Sequence, residues 1–179
     1  AEFRPSERPP VRSLGLLLKA VALVNDAALQ EAFSEDDCCR AVGDPTEGAL
    51  LIAAAKAGLW KNDLDKRWPR VAEAPFTSER KRMTTVHRVN IPADDPSDVP
   101  WRESPYVAFC KGAVDEMLTI TTAVWSGDQA VPLDDALRKR ITAANNELAE
   151  SGQRVLGVAF RPLEALPSEV NEGSLETQM

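Results

Sequence analysis

An α+β domain is the fold class this sequence predicts, and three observations carry it. Helix-like and strand-like stretches run in the order helix, helix, strands, helix, helix, strand. Two β-rich runs flank a proline-rich connection, which favours antiparallel neighbours. At 179 residues, 44% of them hydrophobic and 27% charged, the chain suits one globular domain with its own core.

The elements follow in order. Residues 1–12 hold Pro5, Pro9 and Pro10 and read as a flexible leader, its opening Ala-Glu-Phe resembling a cloning remnant. The domain proper is expected at 13–162. Ser13 is placed to cap a helix reaching about Asn25, with Leu14, Leu17, Leu18, Val21 and Val24 on one side. A loop is expected through Glu35, Asp36 and Asp37. Thr46 reads as the N-cap of a second helix and Glu47 lies in its first turn, where negative charge is favoured. That helix is apolar nearly all round and stops near Gly58, so it is expected to be buried.

Strand character begins at Arg70, with Val71–Phe76 and Arg82–Asn90 as two candidates. Ile91 to Ser104, with its prolines, reads as a polar surface loop. Tyr106–Cys110 is a short apolar strand, and Lys111-Gly112-Ala113 turns it into a helix over about 114–121. Leu133, Leu137, Ile141, Ala144 and Leu148 mark an amphipathic helix over 133–150, stopped by Gly152. A last strand is expected from Arg154 to Phe160, then a polar, acidic tail over 163–179 that frays.

Composition excludes several functions. The formal net charge of -7 argues against nucleic acid, whose phosphates need surplus Lys and Arg. Leu14–Val24 is interrupted by Lys19 and falls short of the ~20 residues of a spanning helix, so no direct membrane contact is expected. Cys38, Cys39 and Cys110 form no paired framework and, with a single histidine, no zinc set; idle thiols in a reducing compartment are expected. His87 receives no role.

The most informative stretch is Gly43-Asp-Pro-Thr-Glu-Gly-Ala-Leu50. It begins like a phosphate-binding P-loop, but Ala49 and Leu50 stand where that loop needs Lys and Ser or Thr. Three further stretches matter: Pro75-Phe-Thr-Ser-Glu-Arg-Lys-Arg-Met83, Lys111-Gly-Ala113 and Gly152-Gln-Arg-Val-Leu156. Singly, each has a plain reading as a helix cap, a solvated turn, a strand-to-helix turn or a helix stop.

Together and in this order, with Asn25-Asp26-Ala27 ending the first helix, they resemble the nucleotide-binding (N) domain of a P-type cation-transporting ATPase of type II, calcium-ATPase-like. The resemblance covers about Leu16 to Arg161. It implies a twisted antiparallel β-sheet flanked by α-helices, in a cytoplasmic domain of an integral membrane protein. It implies ATP as ligand, as Mg-ATP in a full-length pump, and a phosphorylation domain of the same chain as partner. Residues 163–179 would lead toward that domain, and the isolated domain would be a monomer.

By the same resemblance Phe76 stacks on adenine, a contact that asks only for a π-face. Glu47 accepts a hydrogen bond from the adenine amino group or the pocket lining. Lys81 reaches the phosphates. Lys111 lines the base pocket, Gly112 lets the nucleotide approach the backbone, and Arg154 offers a guanidinium fork to phosphate oxygens. Asp44 and Thr46 hold the turn that aims Glu47. Ser78 stands where some members carry a basic residue, which leaves that contact missing or to Arg80 or Arg82. Val114-Asp115 replace the family's usual Pro-Glu after Lys-Gly-Ala. The heavy-metal subclass carries a His-Pro signature, absent here.

No residue is assigned a catalytic or metal-binding role. The sequence has no Asp-Lys-Thr-Gly-Thr phosphorylation motif, and Asp65-Lys66 continues as Arg67-Trp68. The isolated chain is therefore expected to bind ATP without turnover. Two other readings remain: an interaction module using the acidic surface or the 91–105 loop, and a free-standing hydrolase, for which no Ser-His-Asp set is available.

Overall fold

The computed structural model describes residues 12–34, 37–92, 94 and 98–179, the side chains of 31–39 excepted. The expected leader falls outside these residues, apart from Arg12. Four strands form the central sheet, in the order β3 (Arg70–Thr77), β4 (Arg82–Arg88), β5 (Tyr106–Gly112) and β8 (Gly157–Leu163), every neighbour antiparallel. Helices flank this twisted sheet, so the α+β expectation holds.

Strand alternation gives the sheet two apolar faces. Met83, Val107 and Phe109 point to one face and pack with α1 (Arg12–Leu23), α2 (Pro45–Lys56) and α3 (Lys61–Arg67). Ala74, Val86, Ala108 and Cys110 point to the other, against Met117 of α4 (Val114–Ile120) and Leu175 of α6 (Glu172–Leu175). His87 is a core histidine. A carbonyl oxygen can only accept, so Nδ1 donates to Trp68 O at 2.7 Å and Nε2 accepts from the Thr85 hydroxyl at 2.9 Å. Burial pushes its pKa down to about 4.

Several expectations are corrected. The stretch after α1 is a hairpin, β1 (Ala28–Ser34) with β2 (Asp37–Val42), in place of a loop. Glu35 and Asp36 lie outside the described residues. Helix α3 follows Gly58 unannounced, because seven residues with one buried apolar side chain, Leu64, show no readable period. A second small hairpin, β6 (Ala123–Ser126) with β7 (Gln129–Pro132), was likewise unmarked.

The proline-rich connection is less of a surface loop than its composition suggests. Val99 and Trp101 are buried, and Trp101 meets Phe109, Phe160 and Trp68 edge-on at 5.0, 5.3 and 6.0 Å between ring centroids. Helix α5 (Asp135–Glu150) has its apolar stripe, but no residue on it is fully buried and Leu148 is exposed. The last strand starts at Gly157, three residues late, because its partner β5 ends at Gly112, opposite Gly157. The tail does not fray: α6 buries Leu175, Met179 is buried, and Met179 exchanges backbone bonds with Ile120 and Thr122.

Candidate nucleotide site

The site lies where one end of the sheet meets the first turn of α2. Gly43-Asp-Pro-Thr-Glu folds as a capped helix start. The cap is Asp44 rather than Thr46: its Oδ1 accepts from the N–H of Thr46 at 2.8 Å and of Glu47 at 3.1 Å, and Pro45 fills the first helical position. The N–H of Glu47, ahead of an opposing desolvation effect and then of Thr46 and Arg154, holds the Asp44 carboxyl below its ordinary value. These donors are spent on Asp44, so the helix start has no open cradle for phosphate. The P-loop-like glycine at 48 has a packing reason, since a Cβ there would stand 2.7 Å from Ala41 Cβ on β2.

Glu47 points back from this turn toward the end of α1. Its Oε2 accepts from the N–H groups of Asp26 and Ala27, both at 3.1 Å, and its Oε1 accepts from Lys111 Nζ at 2.5 Å. Asn25, fully buried, ties the same corner: Nδ2 donates to Glu47 O at 3.1 Å and Oδ1 accepts from Ala27 N at 2.9 Å. Arg70 closes it from β3, donating to Asp26 Oδ1 at 2.7 Å, Glu73 Oε2 at 2.8 Å and Asn25 O at 2.9 Å.

Lys111 sits on β5 opposite Met83, with only 8% of its side chain exposed against 16% for Glu47. Burial lowers its pKa from the ordinary lysine value, while the Glu47 carboxylate works in the other direction. Lys111 and Gly112 are strand residues, and Ala113, not the lysine, begins the turn into α4. A Cβ at Gly112 would lie 2.4 Å from Arg82 Cβ and 2.6 Å from Lys81 O. Close strand approach is therefore a sufficient reason for glycine there.

Arg154 lies in the segment before β8 and donates to the Thr46 hydroxyl at 3.1 Å, which brings it to the α2 turn. Phe76 is the penultimate residue of β3, beside the Thr77–Arg82 pair, and its ring is open to solvent at 59% exposure.

Residues 13–179 match the family described as P-type ATPase, cytoplasmic domain N. The chain belongs to the P-type ATPase N-domain family. It is 37% identical over 156 residues to the probable cation-transporting ATPase F of Mycobacterium tuberculosis, covering 87% of this chain and 15% of that protein. It is 32% identical over 146 residues to calcium-transporting ATPase 1 of Bacillus cereus, covering 82% and 14%. It is 30% identical over 152 residues to calcium-transporting ATPase type 2C member 1 of Bos taurus, covering 84% and 14%. The chain thus spans about one seventh of the length of these relatives.

In this N domain the structure joins Glu47, Lys111, Asp44, Thr46 and Arg154 by direct contacts, with Phe76 at the same end of the sheet. Lys81 stands apart. It occupies the turn before β4 at φ 49°, and its Nζ lies 3.6 Å from Glu116 and 4.0 Å from Asp115 on α4. Ser78 is exposed in the same turn. Arg80 and Arg82 are engaged elsewhere: both pair with Glu176, which follows α6. The basic run 80–82 is thus largely matched by acid, and Ser78 gains no phosphate contact from those arginines in this arrangement. Sequence reasoning missed Arg70 and Glu176 because both partners lie far along the chain. A separate cavity of about 530 Å³ between α1, α4, β6 and β8 has apolar walls such as Leu17, Met117 and Phe160 and suits no triphosphate.

Proposed function

We propose that this N domain binds ATP by its adenine end and presents the γ-phosphate to the aspartate of a phosphorylation domain elsewhere in a full-length cation pump. The observation that carries the reading is an exposed phenylalanine at the end of β3, at the same sheet end as a largely buried Glu–Lys pair and an arginine. The open ring offers a π-face on which a base can stack. Asp44 and Glu47 make the α2 start acidic, so a base bearing an amino group fits there better than a phosphate.

Each residue then has a place. Phe76 would stack the base, and Glu47 with Lys111 would line its edge. Gly112 keeps the backbone close behind them. Arg154, held by Thr46, and Lys81 are the cations for phosphate oxygens; Lys81 pairs only loosely with α4 and can be drawn away. Asp44 and Thr46 fix the turn, with Ser78 and Arg80 in a supporting position. Bound as Mg-ATP, the nucleotide supplies the phosphoryl group; this chain contributes binding and orientation alone. The relatives are cation- and calcium-transporting ATPases, which supports cation transport as the process served, in a cytoplasmic domain of a membrane protein.

One stacked ring and a few part-exposed cations support weak binding by the isolated monomer, a Kd on the order of 0.1–1 mM. Titrating ATP into the chain and mapping amide shifts tests this. Shifts should centre on Glu47, Phe76, Lys81, Lys111 and Arg154, and their absence at millimolar ATP would sink the reading. The interaction-module alternative loses part of its surface, since Val99 and Trp101 of the 91–105 stretch are buried.

A further inference from the structure

The carboxylate of Glu176 is the most buried acid at this end of the molecule, with 1% of its side chain exposed. It follows α6, almost a hundred residues from the groups it touches. One oxygen accepts from Arg80 Nη1 and, at 3.2 Å, from the Thr84 hydroxyl; the other accepts from Arg82 Nε at 2.7 Å. Arg80 in turn donates through Nη2 to the carbonyl of Pro75, the residue before Phe76. Arg82 and Thr84 lie on β4, and Pro75 lies on β3. Glu176 therefore holds β4 directly and reaches β3 through Arg80, which spans the 77–81 turn.

The turn is also tied to the end of β5, where Ala113 N donates to Lys81 O at 3.0 Å, and Lys81 Nζ lies 3.6 Å from Glu116; its remaining bonds are its own. Lys81 N donates to Thr77 O at 2.8 Å and Arg80 N to Thr77 Oγ1 at 3.3 Å. The β3–β4 ladder is irregular between Ala74 and Thr77, directly beside Phe76. A register break next to an exposed ring leaves that ring's position to whatever braces the strands from behind.

We propose that Glu176 is a positioning residue for nucleotide binding: through Arg80 and Arg82 it fixes the strand ends that present Phe76 and Lys81. The inference rests on the ATP-binding reading above. It makes the segment after β8 part of the site's support, although none of the proposed nucleotide contacts lies in that segment. The carboxylate also engages two guanidinium groups that phosphates would otherwise attract, so the opposite result, tighter ATP binding on its removal, is a real alternative outcome.

The test compares Glu176→Gln, Arg80→Lys, their double variant and Phe76→Ala by NMR titration with ATP and with AMP. Glutamine keeps the size of the side chain and loses the charge; lysine cannot bridge Glu176 and Pro75 O together. Glu176→Gln and Arg80→Lys should each weaken ATP and AMP by the same factor, roughly five- to tenfold, as loss of a charged hydrogen bond acting through the ring would. The double variant should weaken binding no further, because the two act as one unit. Backbone order parameters of 76–81 should fall in Glu176→Gln while those of β5 stay.

Wild-type affinity in both single variants, with Phe76→Ala impaired, overturns the positioning role and leaves the nucleotide site standing. Tighter ATP with unchanged AMP also overturns it, in favour of sequestered arginines. Wild-type affinity in Phe76→Ala removes the nucleotide reading, and this inference with it. If Glu176→Gln fails to fold, Arg80→Lys, which keeps the Glu176–Arg82 pair, decides alone.

Discussion

Replacing Lys111 with methionine should expose how the corner around Glu47 is held. The pair is short, at 2.5 Å, and both side chains are largely covered, so the interaction is stronger than a surface ion pair. Two unit charges at ~4 Å in an effective dielectric near 20 attract by roughly 4 kcal/mol, part of which offsets the desolvation that depresses the lysine. Methionine fills the space but leaves Glu47 without its cation. The carboxylate keeps the N–H groups of Asp26 and Ala27, so the loss falls below that for a stranded buried charge. A cost of about 1–3 kcal/mol follows, or roughly 3–9 °C in Tm for a domain of this size. Urea unfolding and calorimetry measure it. Lys111→Met/Glu47→Gln should recover at least half, because the second change removes the unmatched charge. An unchanged Tm in Lys111→Met, or a double variant no better than the single, would refute a pair that braces this corner.

Two further outcomes check the core behind the site. His87 is neutral in the fold with a pKa of about 4 against 6.5 when unfolded, so the unfolded chain binds the extra proton and stability falls as pH drops through that window. Its share is roughly 3 kcal/mol between pH 7 and 4, read as the difference in pH slope between wild type and His87→Gln; equal slopes would contradict the buried, neutral assignment. Cys110 is fully buried beside Met117 Sδ at 3.5 Å, and burial pushes its thiol up to about 12. Peptide-mapped alkylation at pH 8 should leave Cys110 unmodified in the native chain and label it in denaturant. Native labelling at the denatured rate would show that this face of the sheet opens.

The parts of this domain legible in the sequence are those written in short-range pattern. The strands at 70–77, 82–88 and 106–112 carry their own β-rich or apolar signal, and Asp44, Pro45 and Glu47 spell a helix start within four residues. The cap lies two residues before Thr46, because Asp44 and Thr46 are both competent and only geometry chooses. Elements whose stability comes from distant partners left no local mark. Leu175 and Met179 sit in a polar tail yet pack under the sheet, and Trp101 sits among prolines yet fills the core. The site divides the same way. Glu47, Phe76, Lys111 and Arg154 belong to compact motifs, whereas Arg70 and Glu176 act across 44 and over 90 residues, and nothing near them in sequence names their partners.

The most direct measurement of the central claim is the ATP affinity of Phe76→Ala beside Phe76→Trp. Base stacking contributes ~1–3 kcal/mol, so alanine should weaken ATP by roughly five- to 150-fold, while tryptophan, which keeps a π-face, should stay near wild type. Wild-type affinity in Phe76→Ala, with the Glu47 and Lys111 amides still shifting on titration, would contradict a site built on that ring.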